Sequence, residues 1–225
     1  MESGCCESFG MLDFSKMEFP VLLSECQGPR IHWSDHNLFI AAANIMFNPL
    51  FWNIMARLEL RTKMISRLCG GPRIGCFFLG ATIFFLSAVR GRRYQLAIYH
   101  QPIWHGLQAP AIHYMGAVLI GLGVIFTLCS FFALGFYGTF LGDYFGIFLE
   151  HRVKRFPFNL MENPMYWGTV MEYLGYALWF GPSPAGLLLT LLLAICYKIA
   201  ILIEGPYTEK VYSTYVVEIE DKKHQ

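Results

Sequence analysis

The sequence predicts an all-α integral membrane protein with about four membrane-embedded helical segments, the first of them re-entrant or kinked. Three observations carry this. Apolar runs of near-spanning length recur along the chain. Only 15% of residues are charged against 55% hydrophobic, where a soluble domain holds about 25% charged. Between two apolar runs lies a polar, proline-broken island, Arg155 to Gly168, reading R-F-P-F-N-L-M-E-N-P-M-Y-W-G. Lipid tolerates such a segment badly, so it marks a site at the membrane surface or a pocket between helices.

Residues 1–36 are aperiodic and read as a flexible N-terminal segment; residues 37–212 form the membrane-embedded domain and 213–225 a charged tail. Leu38 to Ala56 is apolar but interrupted by Asn44, Asn48, Pro49 and Asn53. Pro49 removes a helix hydrogen bond and each buried asparagine needs a partner, hence the expected kink or re-entry. Arg57 to Arg73 is expected to be a basic loop. Ile74 to Val89 is a short span whose flanking Arg73 and Arg90 can snorkel to headgroups. Arg90 to Pro110 reads as a polar loop on one membrane face. Ala111 to Gly142 exceeds one span and must tilt, protrude or break. Gly138, Gly142 and Gly146, spaced four apart, suggest a small-residue stripe for a second helix or a second copy of the chain. Met165 to Phe180 is a short aromatic helix after Pro164. Gly181-Pro182-Ser183-Pro184 is a turn, and Pro184 to Ile203 a span ended by Gly205-Pro206.

The formal net charge of +1 gives no bulk basic signal for nucleic acid. The seven cysteines show neither CxxC nor metal-ligand spacing, so no metal site is expected. Glu2 and Glu7 replace the basic start of a cleaved signal peptide. Lys222-Lys223-His224-Gln225 resembles a dilysine retrieval signal of endoplasmic-reticulum membrane proteins, which needs a cytosolic C-terminus; the basic residues at 90–93 would then be cytosolic too.

Several groups could carry chemistry. Gly121-Leu122-Gly123 lacks the third glycine of a dinucleotide fingerprint, Phe126 standing there. Helix packing is its default reading, a bare backbone for a flat ligand the functional one. Glu204 ends the last span, where a carboxylate needs solvent or a partner. Asp143, Arg152 and Arg155 belong to a charged cluster that reads as a solvated loop or as a phosphate clamp. Tyr166, Trp167 and their aromatic neighbours anchor the interface or cage a cation.

Ordered stretches carry a resemblance: F-N-P-L-F-W-N at 47–53, G-L-G at 121–123, G-T-F-L-G-D-Y-F-G-I at 138–147, F-P-F-N at 156–159, N-P-M-Y-W-G at 163–168 and E-G-P-Y-T at 204–208. With these the chain resembles the membrane phospholipid methyltransferase family, of the phosphatidylethanolamine N-methyltransferase type. The resemblance implies a methyltransferase domain over 37–212. It implies three successive methyl transfers from S-adenosylmethionine to the amine of a membrane phosphatidylethanolamine, giving phosphatidylcholine. It implies residence in the endoplasmic reticulum or mitochondria-associated membrane. It places the cofactor on Gly121, Leu122, Gly123, Glu204 and Gly205, where Gly205 departs from a second expected glutamate. Candidate catalytic residues are Glu204, Asp143 and Tyr166; candidate lipid contacts are Arg152, Arg155, Asn163 and Trp167. The competing readings are a prenylcysteine carboxyl methyltransferase, a sterol reductase, or a non-catalytic packing or transport protein. Glu162-Asn163-Pro164-Met165-Tyr166 lacks the Arg-His-Pro of the wider superfamily, which speaks against the first.

Overall fold

A computed structural model describes residues 29–149 and 153–223, those from 211 onward as helix backbone only. Six α-helices account for nearly all of it: α1 His36–Thr62, α2 Met64–Cys69, α3 Pro72–Tyr99, α4 Pro110–Thr139, α5 Pro164–Phe180 and α6 Pro184–Lys223. Four of these, α1, α3, α4 and α6, are long and apolar enough to cross a membrane.

α1 starts where the Asp35 side chain accepts the Asn37 N–H at 3.0 Å, and ends at Lys63 in the left-handed conformation, φ 52°. Its 27 residues run through Pro49 as one helix, a length of roughly 40 Å at 1.5 Å per residue, long enough to cross a bilayer without turning back. Each asparagine has found its acceptor. Asn44 donates to the Ile40 carbonyl, Asn48 to Leu86 O on α3, and Asn53 to Pro49 O and to Glu204. The Asn48 bond pins α1 to α3 along their length.

The expected basic loop at 57–73 is helical instead. The buried Glu59 carboxylate accepts the Ile65 and Ser66 N–H groups and the Ser66 hydroxyl, capping the short α2. Gly71 and Pro72 then open α3. α3 does not end near Val89; it continues to Tyr99, because Tyr94, Ala97 and Ile98 keep its inner face buried. Arg90 is therefore an interior residue, 4% exposed, and does not snorkel; Arg92 and Arg93 are exposed.

Of the three outcomes its length allowed, the long apolar run takes the break. Gly135 adopts φ 66° and ψ −179°, outside the helical region, and the chain folds back through a 3-10 turn at Gly142–Phe145. The stripe Gly138, Gly142, Gly146 is thus not one helix face: the first lies beyond the break, the second in the turn, the third at its left-handed cap. The real small-residue stripe joins α4 to α5. A Cβ on Gly116 would lie 2.9 Å from Gly175 O, and one on Gly123 2.6 Å from Gly168 O. The two backbones touch, in antiparallel register.

Ser183 caps α6 by accepting the Gly186 N–H. Ala185, Leu189, Leu193, Tyr197 and Ala200 form its buried face. Gly205-Pro206 does not stop the helix; Pro206 lies inside it. Arg57 on α1 donates to Ile203 O and Lys63 to Tyr144 O. The basic stretch 57–73 therefore shares a membrane face with the end of α6, while 90–93 lies well along α3 toward the other face. The expectation that 90–93 sits beside the C-terminus is corrected accordingly.

Candidate active site

α1, α3 and α6 pack as one group, and α4 is held almost wholly by α5. Between α3 and α4 the helices barely meet, and a cavity of about 2290 Å³ opens there, reaching from the basic face deep among the spans. Its apolar walls include Phe84, Leu128 and Phe131, and its polar lining includes Arg90, Asp143, Asn163, Tyr166, Glu172 and Glu204.

Glu204 is the hub. Its Oε1 accepts from Trp52 Nε1 and Asn53 Nδ2, both at 2.8 Å, and its Oε2 from the Tyr166 hydroxyl at 2.7 Å. One carboxylate thus ties α1, α5 and α6 together, which explains how it is carried inside an apolar bundle. Around it the rings of Trp52, Tyr166 and Tyr197 cluster in stacked and tilted pairs, with Tyr166 and Tyr197 centroids 4.8 Å apart and Trp52 and Tyr166 6.4 Å. Negative ring faces beside a carboxylate favour a cation.

Asp143 sits in the turn made by the Gly135 break. Its Oδ1 accepts its neighbour's N–H, Tyr144, and its Oδ2 takes one long bond, 3.3 Å, from Thr208 on α6. Tyr144 stacks on Tyr207, centroids 4.2 Å apart, fixing the turn against α6. Glu204 already accepts three bonds; Asp143 Oδ2 keeps acceptor capacity toward the cavity.

The candidates from sequence divide. Glu204, Asp143, Tyr166, Asn163 and Gly205 all line the cavity. Gly205 does so in open space, with nothing within 4 Å of a Cβ built on it. Gly121 and Leu122 are exposed, and Gly123 is buried against Gly168; none of the three lines the cavity. Arg155 is exposed, Trp167 is half-buried outside the lining, and Arg152 falls outside the described residues. Sequence reading missed Trp52 and Asn53 as ligands of Glu204, and Arg90 and Glu172 in the wall. The only signal for the first two was their polar atoms within an apolar run. No group of three or more metal-binding side chains occurs among the described residues.

Comparison with known proteins gives a consistent result. The phospholipid methyltransferase family model matches residues 111–215. The chain is 50% identical over 175 residues to phosphatidylethanolamine N-methyltransferase of Rattus norvegicus, covering 77% of this chain and 87% of that protein. It is 48% identical over 178 residues to the Homo sapiens protein of the same name, covering 79% and 89%. It is 44% identical over 174 residues to phosphatidyl-N-methylethanolamine N-methyltransferase of Saccharomyces cerevisiae, covering 77% and 84%. No solved structure matches.

Proposed function

Since the chain belongs to the phospholipid methyltransferase family, we propose that it methylates the amine of phosphatidylethanolamine in three steps to phosphatidylcholine, with S-adenosylmethionine as donor. The observation that carries this reading is a membrane cavity in which Asp143, Glu204 and a ring cluster face one space. S-adenosylmethionine supplies the methyl group and leaves as the neutral thioether. Its sulfonium suits the Glu204 carboxylate and the Trp52, Tyr166 and Tyr197 rings, and Gly205 leaves room beside them. Gly121 to Gly123 would serve donor binding by setting the α4–α5 seam that backs the cavity, the role left to residues outside its lining.

The chemistry asks three things of the chain. An ammonium has no lone pair, so the acceptor must lose a proton; Asp143 Oδ2, with its single long bond, is the base we favour, worth about 10²–10⁴ in rate. Glu204, held at both oxygens, keeps a fixed negative charge and positions Tyr166. The helices exclude water and hold donor and acceptor in line, a contribution of roughly 7–11 kcal/mol when alignment is good. The basic stretch 57–73 on the face of Glu204 favours a cytosolic C-terminus, with the endoplasmic reticulum as the compartment the tail suggests.

The test is methyl-labelled S-adenosylmethionine with the purified protein in phosphatidylethanolamine micelles. Label is expected in mono-, di- and trimethylated lipid. Bound donor without lipid label would point to another methyl acceptor.

A further inference from the structure

Arg90 makes no hydrogen bond to Asp143 or Glu204 and reaches the Glu204 hub only through the Tyr197 ring; its surroundings are unusual. The side chain is 96% buried by its 4% exposure, lies eighteen residues into α3, and forms part of the cavity wall. Its Nε donates to the Tyr173 hydroxyl at 3.2 Å. The guanidinium lies 5.6 Å from the Tyr173 ring centroid and 5.4 Å from that of Tyr197. Nη1 has no hydrogen-bond partner among the described residues. Glu172, the carboxylate across the wall, lies close enough to feel the Arg90 charge, but it is held by the Thr127 hydroxyl at 2.8 Å and does not hydrogen-bond Arg90. Arginine does not shed its charge, and a buried guanidinium with a donor left unmade is costly.

We infer that Arg90 is an oxyanion-binding residue that anchors the phosphodiester of the lipid acceptor. This rests on the methyl-transfer reading above. Two features choose the phosphodiester over the donor's carboxylate. The wall outward from Arg90 is apolar, with Phe84, Leu128 and Phe131 suited to acyl chains. Glu204 lies seven residues beyond Tyr197 on α6, roughly 10 Å at 1.5 Å per residue. A zwitterionic headgroup then runs with its anion toward Arg90 and its amine toward the carboxylates. The phosphodiester is the group that all three acceptors and the product share, while the amine changes at every step. One fixed anchor therefore serves every transfer.

The test compares phosphatidylethanolamine with its uncharged phosphotriester, measuring equilibrium binding and methylation side by side for wild type, R90Q and R90K. Wild type is expected to prefer the diester about 10- to 100-fold, the range for a hydrogen bond to a charged group. In R90Q that preference should collapse toward unity, with the acceptor KM raised and the donor KM within about twofold, a split that a merely structural role does not produce. R90K, which keeps the charge but loses the planar fork, should retain an intermediate preference; it carries the test where R90Q does not fold. Equal preference in wild type and R90K and R90Q overturns the inference. So does weakened S-adenosylhomocysteine binding with unchanged lipid discrimination, which places the oxyanion on the donor. Diester preference present in wild type and lost in R90Q, with no lipid methylated by wild type, would support an anion site at Arg90 and sink the methyl-transfer reading instead.

Discussion

The Tyr166 hydroxyl donates to Glu204 Oε2 over 2.7 Å, bonding the first turn of α5 to a carboxylate deep in α6. The other oxygen of that carboxylate is held by α1. Charge and architecture can be separated here. Glu204→Ala leaves the Trp52 and Tyr166 donors unpaired and Asn53 with the Pro49 carbonyl alone, and should cost about 2–5 kcal/mol of stability. Glu204→Gln retains an oxygen for Trp52 and Asn53, and should fold while losing about 10²-fold in kcat/KM. Thermal melting and initial rates in micelles check the pair.

Asp143→Asn removes the proposed proton acceptor without changing shape. Activity near neutral pH should fall about 10²–10⁴-fold. The residual rate should climb with pH, because free amine is then supplied by solvent alone. A pH–rate profile parallel to that of wild type would remove Asp143 from the proton path.

The two glycines of Gly121-Leu122-Gly123 should behave differently. A Cβ at 123 meets Gly168 O at 2.6 Å and the Glu172 backbone N at 2.9 Å, whereas at 121 it meets nothing. Gly123→Ala should destabilise by about 1–3 kcal/mol through overpacking. Gly121→Ala should be neutral, or stabilising by up to about 1 kcal/mol. Loss of donor binding in a well-folded Gly121→Ala protein would instead place the cofactor on that backbone.

Gly205→Glu installs the acidic pair that the family resemblance implies. The site is open, so the fold should be unaffected. A second negative charge beside a sulfonium should tighten S-adenosylmethionine several-fold while leaving the neutral S-adenosylhomocysteine unchanged, as calorimetry can show.

The four spans were legible because hydrophobic runs report lipid exposure directly. That the run from Ala111 is too long for one plain crossing was also legible at 1.5 Å per residue, but tilt, protrusion and a break all answer that length, and only the Gly135 backbone selects the break. Glu204 was legible as a carboxylate out of place at the end of a span, Asp143 as one charge of a cluster and Tyr166 as one aromatic of a belt; the structure adds that all three line one cavity. What was not legible depends on partners distant in sequence. Asn48 Nδ2 finds the Leu86 carbonyl and Asn53 finds Glu204, and α1 runs on through Pro49. Arg90 reads as the first of three surface arginines, and only the Tyr173 and Tyr197 rings reveal it as interior. Helix propensity beyond Val89 was hidden by the polar residues on the outer face of α3.

Where backbone meets backbone, as at Gly116–Gly175 and Gly123–Gly168, no side-chain rotamers remain to yield. α4 and α5 therefore form a stiff leaf, hinged on the rest of the bundle mainly through α5. The thin edge between α3 and α4, not the seam, is therefore the compliant side of the cavity wall. Any widening of that space comes from the leaf moving as one piece rather than from α4 parting from α5.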